Sequence, residues 1–249
     1  WKPDRIAMSQ TYSMHGDWYE EQETITEWIR ESQKHQGFAT SMMTDALRRR
    51  SDKVISSAIH LLIDAWPAGW MKALVGVDRI PKPAYYAYRK SLEPVRVNLR
   101  CDRWTAYEGD TMEVEAWLLN DTPYDYDNCA IYATLRDDEK DYASFRIICN
   151  SKKVQPSYAG TVRFVTPAVC DRRKLYLDAA LYSSDGALVN CERFEFEVFE
   201  KRRKPSDEQG IAVSHNGCDF PEIKSKPVST GYSTAFIGKI AGNVLEKLG

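Results

Sequence analysis

The chain has 249 residues, 43% of them hydrophobic, and its 34 Lys and Arg against 36 Asp and Glu leave a net charge of −2. That length and apolar content suit one or two folded domains, and the balance of charge excludes a dedicated nucleic-acid or anionic-membrane binder. No apolar run approaches the roughly eighteen residues a membrane-spanning helix needs, and Trp1-Lys2-Pro3-Asp4-Arg5 does not read as a signal peptide. Cytoplasmic and periplasmic or secreted locations both stay open.

Residues 1–92 read as helix, helix, strand, helix. From Trp18 to Gln36, the apolar groups Ile25, Trp28 and Ile29 stand among charges, which predicts an amphipathic helix with a narrow buried face. Gly37 marks a break, and Phe38 to Arg50 carries the next stripe, Met42, Met43, Ala46 and Leu47. Arg48, Arg49 and Arg50 close that helix where cations suit its C-terminal dipole, as a solvated end rather than an anion site. Val54 to Ile63 is almost continuously apolar, the pattern of a strand buried on both faces of a parallel sheet. Asp64, Trp66 and Pro67 fall where that strand ends, and in a β/α barrel that end carries the active site. Lys82-Pro83 then starts a short helix through Ser91. Its Tyr85, Tyr86 and Tyr88 are expected to pack between this section and the next.

Residues 93–200 are all β. Alternation is clear in Glu113 to Leu119 and Phe194 to Phe199, and further strands fit Ala130–Arg136, Ser144–Cys149, Gly160–Val165 and Lys174–Tyr182. Glu108-Gly109-Asp110, Asn120 to Pro123 and Ser184-Asp185-Gly186 supply turns. About seven short strands in such a span predict an immunoglobulin-like β-sandwich. Tyr124 and Tyr126, in a loop with Asp121, Asp125 and Asp127, are its visible candidates for sugar contact, against a solvated loop or a calcium site. Cys101, Cys129, Cys149, Cys170, Cys191 and Cys218 have no metal-ligand spacing and read as mostly buried free thiols, with a cross-strand disulfide as the alternative.

Residues 201–249 begin with the basic run Lys201 to Lys204, a domain junction rather than a polyanion site. Ile211-Ala212-Val213 suits a short strand. Thr234 to Leu248 aligns Phe236, Ile240, Val244 and Leu248 on one side of a helix. This strand-loop-helix tail is the start of a further α/β domain or docks back on the body. His215, Cys218 and Asp219 share a loop without the context a nucleophile needs.

One combination is specific. The order of apolar strand, Asp64, Trp66-Pro67, Trp70, Val75, Val77-Asp78 and Pro81-Lys82-Pro83-Ala84-Tyr85-Tyr86 resembles the end of the catalytic barrel in glycoside hydrolase family 2. The β-mannosidase-like and β-galactosidase-like members are the nearest in pattern. There, the last barrel strand enters an Asn-Asp-x-Trp-Pro turn, and a Pro-Lys-Pro-x-Tyr-Tyr helix leads into an immunoglobulin-like sandwich. This chain departs at two positions, with His60 where the family has Trp and Ile63 where it has Asn.

The resemblance implies an α+β, multi-part fold: the C-terminal remnant of a (β/α)8 barrel, a sandwich, and a short α/β tail. It implies the C-terminal portion of a retaining glycosidase acting on β-mannosides or β-galactosides, with both catalytic Glu residues upstream and no catalytic residue in this chain. His60, Asp64 and Trp66 would line the rim of the substrate pocket. No cofactor or metal is expected. The expected partners are a β-glycoside and either the rest of the barrel or a second copy of the chain, which a strand with two apolar faces requires; nucleic acid and membrane are not expected. The alternative is a non-catalytic carbohydrate-binding or structural, assembly-forming β-sandwich module.

Overall fold

A computed structural model of the chain describes residues 22–51, 53, 56–65 and 72–201. Thr24 opens helix α1 (Ile25–Arg48) with a reciprocal cap: its hydroxyl accepts from the Glu27 amide, and the Glu27 carboxylate accepts from the Thr24 amide, each at 3.2 Å. The helix runs unbroken through Gly37, where the sequence suggested a stop. The glycine lies against helix α2 (Pro83–Ser91), and a Cβ at this position would sit 3.6 Å from the Ala84 amide nitrogen and 3.7 Å from the Ala87 Cβ. Gly37 is there for close approach of two helices, and its cost to helix propensity is offset by that contact. Small and polar groups complete the seam: Ser41 donates to the Ala87 carbonyl at 3.3 Å and accepts from Ser91 at 3.1 Å.

The face that α1 buries is therefore not its apolar one. Its buried residues are Gly37, Thr44 and Asp45, whereas Ile25, Ile29 and Met43 are 51%, 44% and 62% exposed. At 3.6 residues per turn these three fall on the side of the helix opposite Gly37 and Asp45. Of the expected buried stripe, Ile25, Ile29, Met42 and Met43 are thus turned outward, while Trp28, Ala46 and Leu47 are half-buried.

The expected strand from Val54 to Ile63 is corrected likewise. Residues 56–63 are not a strand; Ser56, Ser57, Ala58, His60, Leu62 and Ile63 are exposed, and Val54 and Ile55 lie outside the described residues. Leu61 has a left-handed backbone (φ 66°), which interrupts extended structure. What survives is a single parallel bridge of Ile63 to Val75. A parallel strand needs neighbours on both edges to satisfy its backbone, and the described residues supply one residue of pairing. Among the described residues no barrel remnant is seen.

The sandwich follows as expected, with eight strands against the seven or so expected; Val95–Arg100 and Thr105–Tyr107 are the two without a named segment in the sequence. Strands β1 (Val95–Arg100), β3 (Thr111–Asn120) and β6 (Gln155–Val165) form one sheet in the order β1-β3-β6. Strands β2 (Thr105–Tyr107), β4 (Tyr126–Arg136), β5 (Asp141–Ser151), β7 (Arg172–Tyr182) and β8 (Leu188–Phe199) form the other, in the order β2-β8-β7-β4-β5. Pairing is antiparallel except for the short β2–β8 edge. The inner faces meet in one core that includes Val97, Met112, Val114, Leu118, Ile131, Leu135, Leu177 and Phe196. Gly109 and Gly186, at φ 77° and 85°, occupy turns that require the left-handed region.

Strand β1 is buried on both faces. Val95, Val97 and Leu99 enter the sandwich core, and Arg96 and Asn98 point the other way, under α1. Asn98 donates to the Asp45 carboxylate at 2.9 Å, and Arg96 bridges Asp45 (3.2 Å) and Glu192 (2.6 Å). Arg48 reaches the Ser91 carbonyl (2.5 Å) and Asp121 (2.8 Å), and Arg49 reaches the Asn98 side chain (2.5 Å). These two arginines are corrected from a solvated helix end to the pins that hold the helical hairpin on the sandwich. They lie there because β1 presents its polar positions to the end of α1.

Candidate functional site

The residues of the strand-end motif converge on one ion pair. Asp64 lies at the end of the Ile63 bridge, its amide bonded to the Val75 carbonyl at 3.0 Å. From Val75 the chain turns tightly: the Gly76 amide bonds the Ile80 carbonyl at 2.9 Å, and Asp78 accepts from the Ile80 amide at 3.0 Å. Pro81 then bridges back to Val75, and Lys82 is delivered beside the strand end, its Nζ 2.9 Å from Asp64 Oδ2. Both side chains are largely buried, at 15% exposure for Lys82 and 10% for Asp64. The next residue, Pro83, begins α2, so the pair ties the strand end to the helix start.

His60 is exposed and lies just before the left-handed turn at Leu61. The structure thus places Asp64 against Lys82 and His60 on an outer loop, while Trp66, with Pro67 and Trp70, lies outside the described residues. Tyr85 and Tyr88 pack with Ile59 on Leu74, Val75 and Ala84. They brace this loop rather than the sandwich, as was expected of them, and Tyr86 stands exposed, edge-on to Tyr85.

The acidic loop does not gather its carboxylates. Asp125 and Asp127 pair with Lys152 at 2.9 Å and 3.6 Å, and Asp121 pairs with Arg48. Among the described residues, no group of three His, Cys, Asp or Glu side chains is placed to hold a metal, and no helix is long and apolar enough to cross a membrane. Cys129 and Cys149 are buried free thiols opposite each other on β4 and β5, Cys101 is half-buried, and Cys170 and Cys191 are exposed. Burial and the neighbouring Cys129 push the Cys149 thiol up to about 11. Cys218, the basic junction after Lys201, and the predicted tail helix lie outside the described residues.

A second constellation has no counterpart in the sequence reading. On the outward face of β4, β7 and β8, Tyr132 and Tyr182 meet edge to face with centroids 5.6 Å apart. Register brings them together: Ala130 pairs with Tyr182 and Tyr132 with Ala180. Across a floor of Ala180 and Cys191, Arg193 holds Asp178 through two hydrogen bonds of 2.6 and 2.7 Å. Lys90 of α2 stands at the end of this groove, 3.5 Å from Glu192.

The architecture is thus a two-sheet β-sandwich that carries a helical hairpin on β1 and an ion-paired connecting loop. Among solved structures, its fold is similar to part of the exo-chitosanase CsxA of Amycolatopsis orientalis, with a TM-score of 0.53 at 18% identity, over 70% of this chain and 20% of that one. A variant of that enzyme in complex with PNP-β-D-glucosamine matches with a TM-score of 0.52 at 17% identity and the same coverage. The matched part spans about a fifth of the chitosanase. No family model matches the chain, and no curated protein does.

Proposed function

We propose that this chain is the C-terminal portion of a retaining glycoside hydrolase of the family 2 type, acting on β-linked glycosides. The reading rests on one conjunction: Asp64 and Lys82, two charged residues from opposite ends of the barrel-end motif, form a single buried ion pair ahead of a sandwich. The likeness in fold to part of an exo-chitosanase supports it. So does the exposed apolar side of α1, which suits burial against a further part of the protein.

In this reading two carboxylates on earlier barrel strands divide the chemistry. One attacks the anomeric carbon; the other protonates the leaving oxygen and then activates water. The present residues contribute structure. Lys82 fixes the Asp64 carboxylate, which sets the strand end and the loop carrying Trp66 at the pocket rim, with His60 alongside. The rest of the barrel covers Ile25, Ile29 and Met43 and completes the pairing of the segment before Asp64. The substrate is a β-mannoside or β-galactoside, with a β-glucosaminide as the further member suggested by the chitosanase complex.

The test is hydrolysis of p-nitrophenyl β-mannoside, β-galactoside and β-glucosaminide by the protein extended to include a full barrel, beside the 249-residue chain. Activity in the longer protein alone is expected, and the preferred glycoside names the sugar. Turnover by the shorter chain would place the carboxylates wrongly, and no turnover of any β-glycoside by the longer one would end the reading.

A further inference from the structure

The groove on the outer face of the five-stranded sheet, about 680 Å³ in volume, is built rather than incidental. Its floor is small because Ala180 and Cys191 face each other in register. Its two walls differ in chemistry. The Tyr132–Tyr182 wall offers aromatic surface, with Tyr132 46% exposed on an outward sheet face where solvent-facing positions are ordinarily polar. The Asp178–Arg193 wall offers a rigid plane of polar groups, held by paired hydrogen bonds.

Charge narrows the ligand. Arg193 is matched by Asp178, and Lys90 by Glu192, which Arg96 also neutralises. An ionic ligand would meet a like charge in one of these pairs, and a cation would also meet Arg146, whose guanidinium lies 5.6 Å from the Tyr132 ring centroid. A neutral ligand rich in hydroxyl groups meets no like charge and leaves the pairs intact, because each carboxylate oxygen of Asp178 keeps a second lone pair and Arg193 keeps N–H donors beyond the two it uses. A ligand that also needs an aromatic face must have an apolar side. A pyranose has both: a face of C–H groups, which suits the negative face of an aromatic ring, and an equatorial rim of hydroxyls.

We propose that this groove is a binding site for an uncharged β-linked oligosaccharide. One pyranose stacks on the tyrosine pair, and its hydroxyls donate to Asp178 and accept from Arg193. The inference rests on the glycosidase reading for its ligand class and extends it: the sandwich would hold a length of substrate chain on the sheet face, an activity independent of bond cleavage. Ala180 admits the ring, and any larger side chain there would occupy its place.

The experiment is a titration of the 15N-labelled 249-residue chain with β-1,4-linked mannotetraose, cellotetraose and N-acetylchitotetraose, followed by amide shifts. Shifts around Tyr132, Ala180 and Cys191 are expected, with a Kd in the range of about 1 mM, typical of a shallow open site. Tyr132→Ala and Tyr182→Ala should each weaken binding about tenfold, the loss of one aromatic contact, and Ala180→Leu should abolish it. Tyr132 is half exposed, so its truncation keeps the test sound if Ala180→Leu misfolds. The proposal is overturned by absence of shifts with all three sugars, by shifts elsewhere on the molecule, or by binding that Tyr132→Ala leaves unchanged. Hydrolysis by the longer protein without binding here would remove the groove and leave the glycosidase. Binding here without hydrolysis would do the reverse.

Discussion

Replacing Asp45 by Asn should remove a pH dependence of stability between about pH 4 and 6. Asp45 lies beneath β1 with 8% of its side chain exposed, and burial, partly opposed by Arg96, raises its carboxyl from 3.8 to about 6. An acid whose folded-state value lies above its unfolded one holds its proton more tightly in the folded protein. Its contribution is therefore fully present below the unfolded value and is lost as pH rises through the folded one. A shift from 3.8 to about 6 corresponds to about 3 kcal/mol across that window. The groups facing it are Arg48 and Arg49 from its own helix, Arg96 from β1 and Glu192 from β8. His35 titrates nearby in pH with the opposite sense: burial lowers its value, so stability falls as its pH range is entered from above. The informative quantity is thus the difference between wild type and Asp45→Asn in urea midpoints measured from pH 4 to 7.5. Asp45→Asn should be relatively more stable at pH 7 than at pH 4.5 by about 2 kcal/mol, because part of the effect is already lost at pH 4.5. A difference constant with pH, or one that grows toward acid, would refute the argument and show that the ion pair with Arg96 outweighs the desolvation of the carboxylate.

Three further outcomes follow from local geometry. Gly37→Ala should raise the thermal midpoint, because its Cβ meets α2 at ordinary contact distance while α1 gains about 0.5–1 kcal/mol of helix propensity; Gly37→Leu should lower it by overpacking the same seam. Asp137→Ala should cost about 2–3 kcal/mol by chemical denaturation, since the carboxylate accepts from the Tyr142 hydroxyl (2.6 Å), Arg173 (2.7 Å) and the Glu139 and Lys140 amides. The Tyr142 bond and these others hold Asp137 well below the usual carboxylate range, so this contribution fades only as pH falls below the ordinary value of 3.8. Native alkylation at pH 8 should modify Cys170 and Cys191 and spare Cys129 and Cys149, whose thiols are buried and pushed up; equal rates by peptide mass spectrometry would contradict the burial.

The sandwich was readable because alternation reports a sheet with one wet face: Glu113 to Leu119 and Phe194 to Phe199 show it plainly. Strand β1 alternates too, through Val95, Val97 and Leu99, but its polar positions are as buried as its apolar ones because Asp45 and Arg49 descend on them. No local pattern announces that burial. Helix α1 misleads for a related reason. Much of its apolar stripe lies on the side of the helix opposite its packed face, and the face used within these residues is the one with Gly37 and Ser41. At the motif, Asp64 and Lys82 were both conspicuous, yet their pairing depends on a turn at Gly76 that folds the chain back. The tyrosine groove was illegible, since Tyr132 and Tyr182 become neighbours only through the register of β4 on β7.

Asn190 shows how a sheet margin can be closed by one side chain. Strand β1 ends its sheet, and its outer backbone edge would otherwise be a template for a foreign strand. From β8, Asn190 presents its carbonyl oxygen to the Val97 amide at 3.1 Å and anchors its own amide on Glu93 at 2.5 Å. The two sheets are thereby stitched where they would otherwise gape. A protein built this way resists self-association through that margin by occupying a hydrogen-bond donor, with no proline within β1 to block an incoming chain.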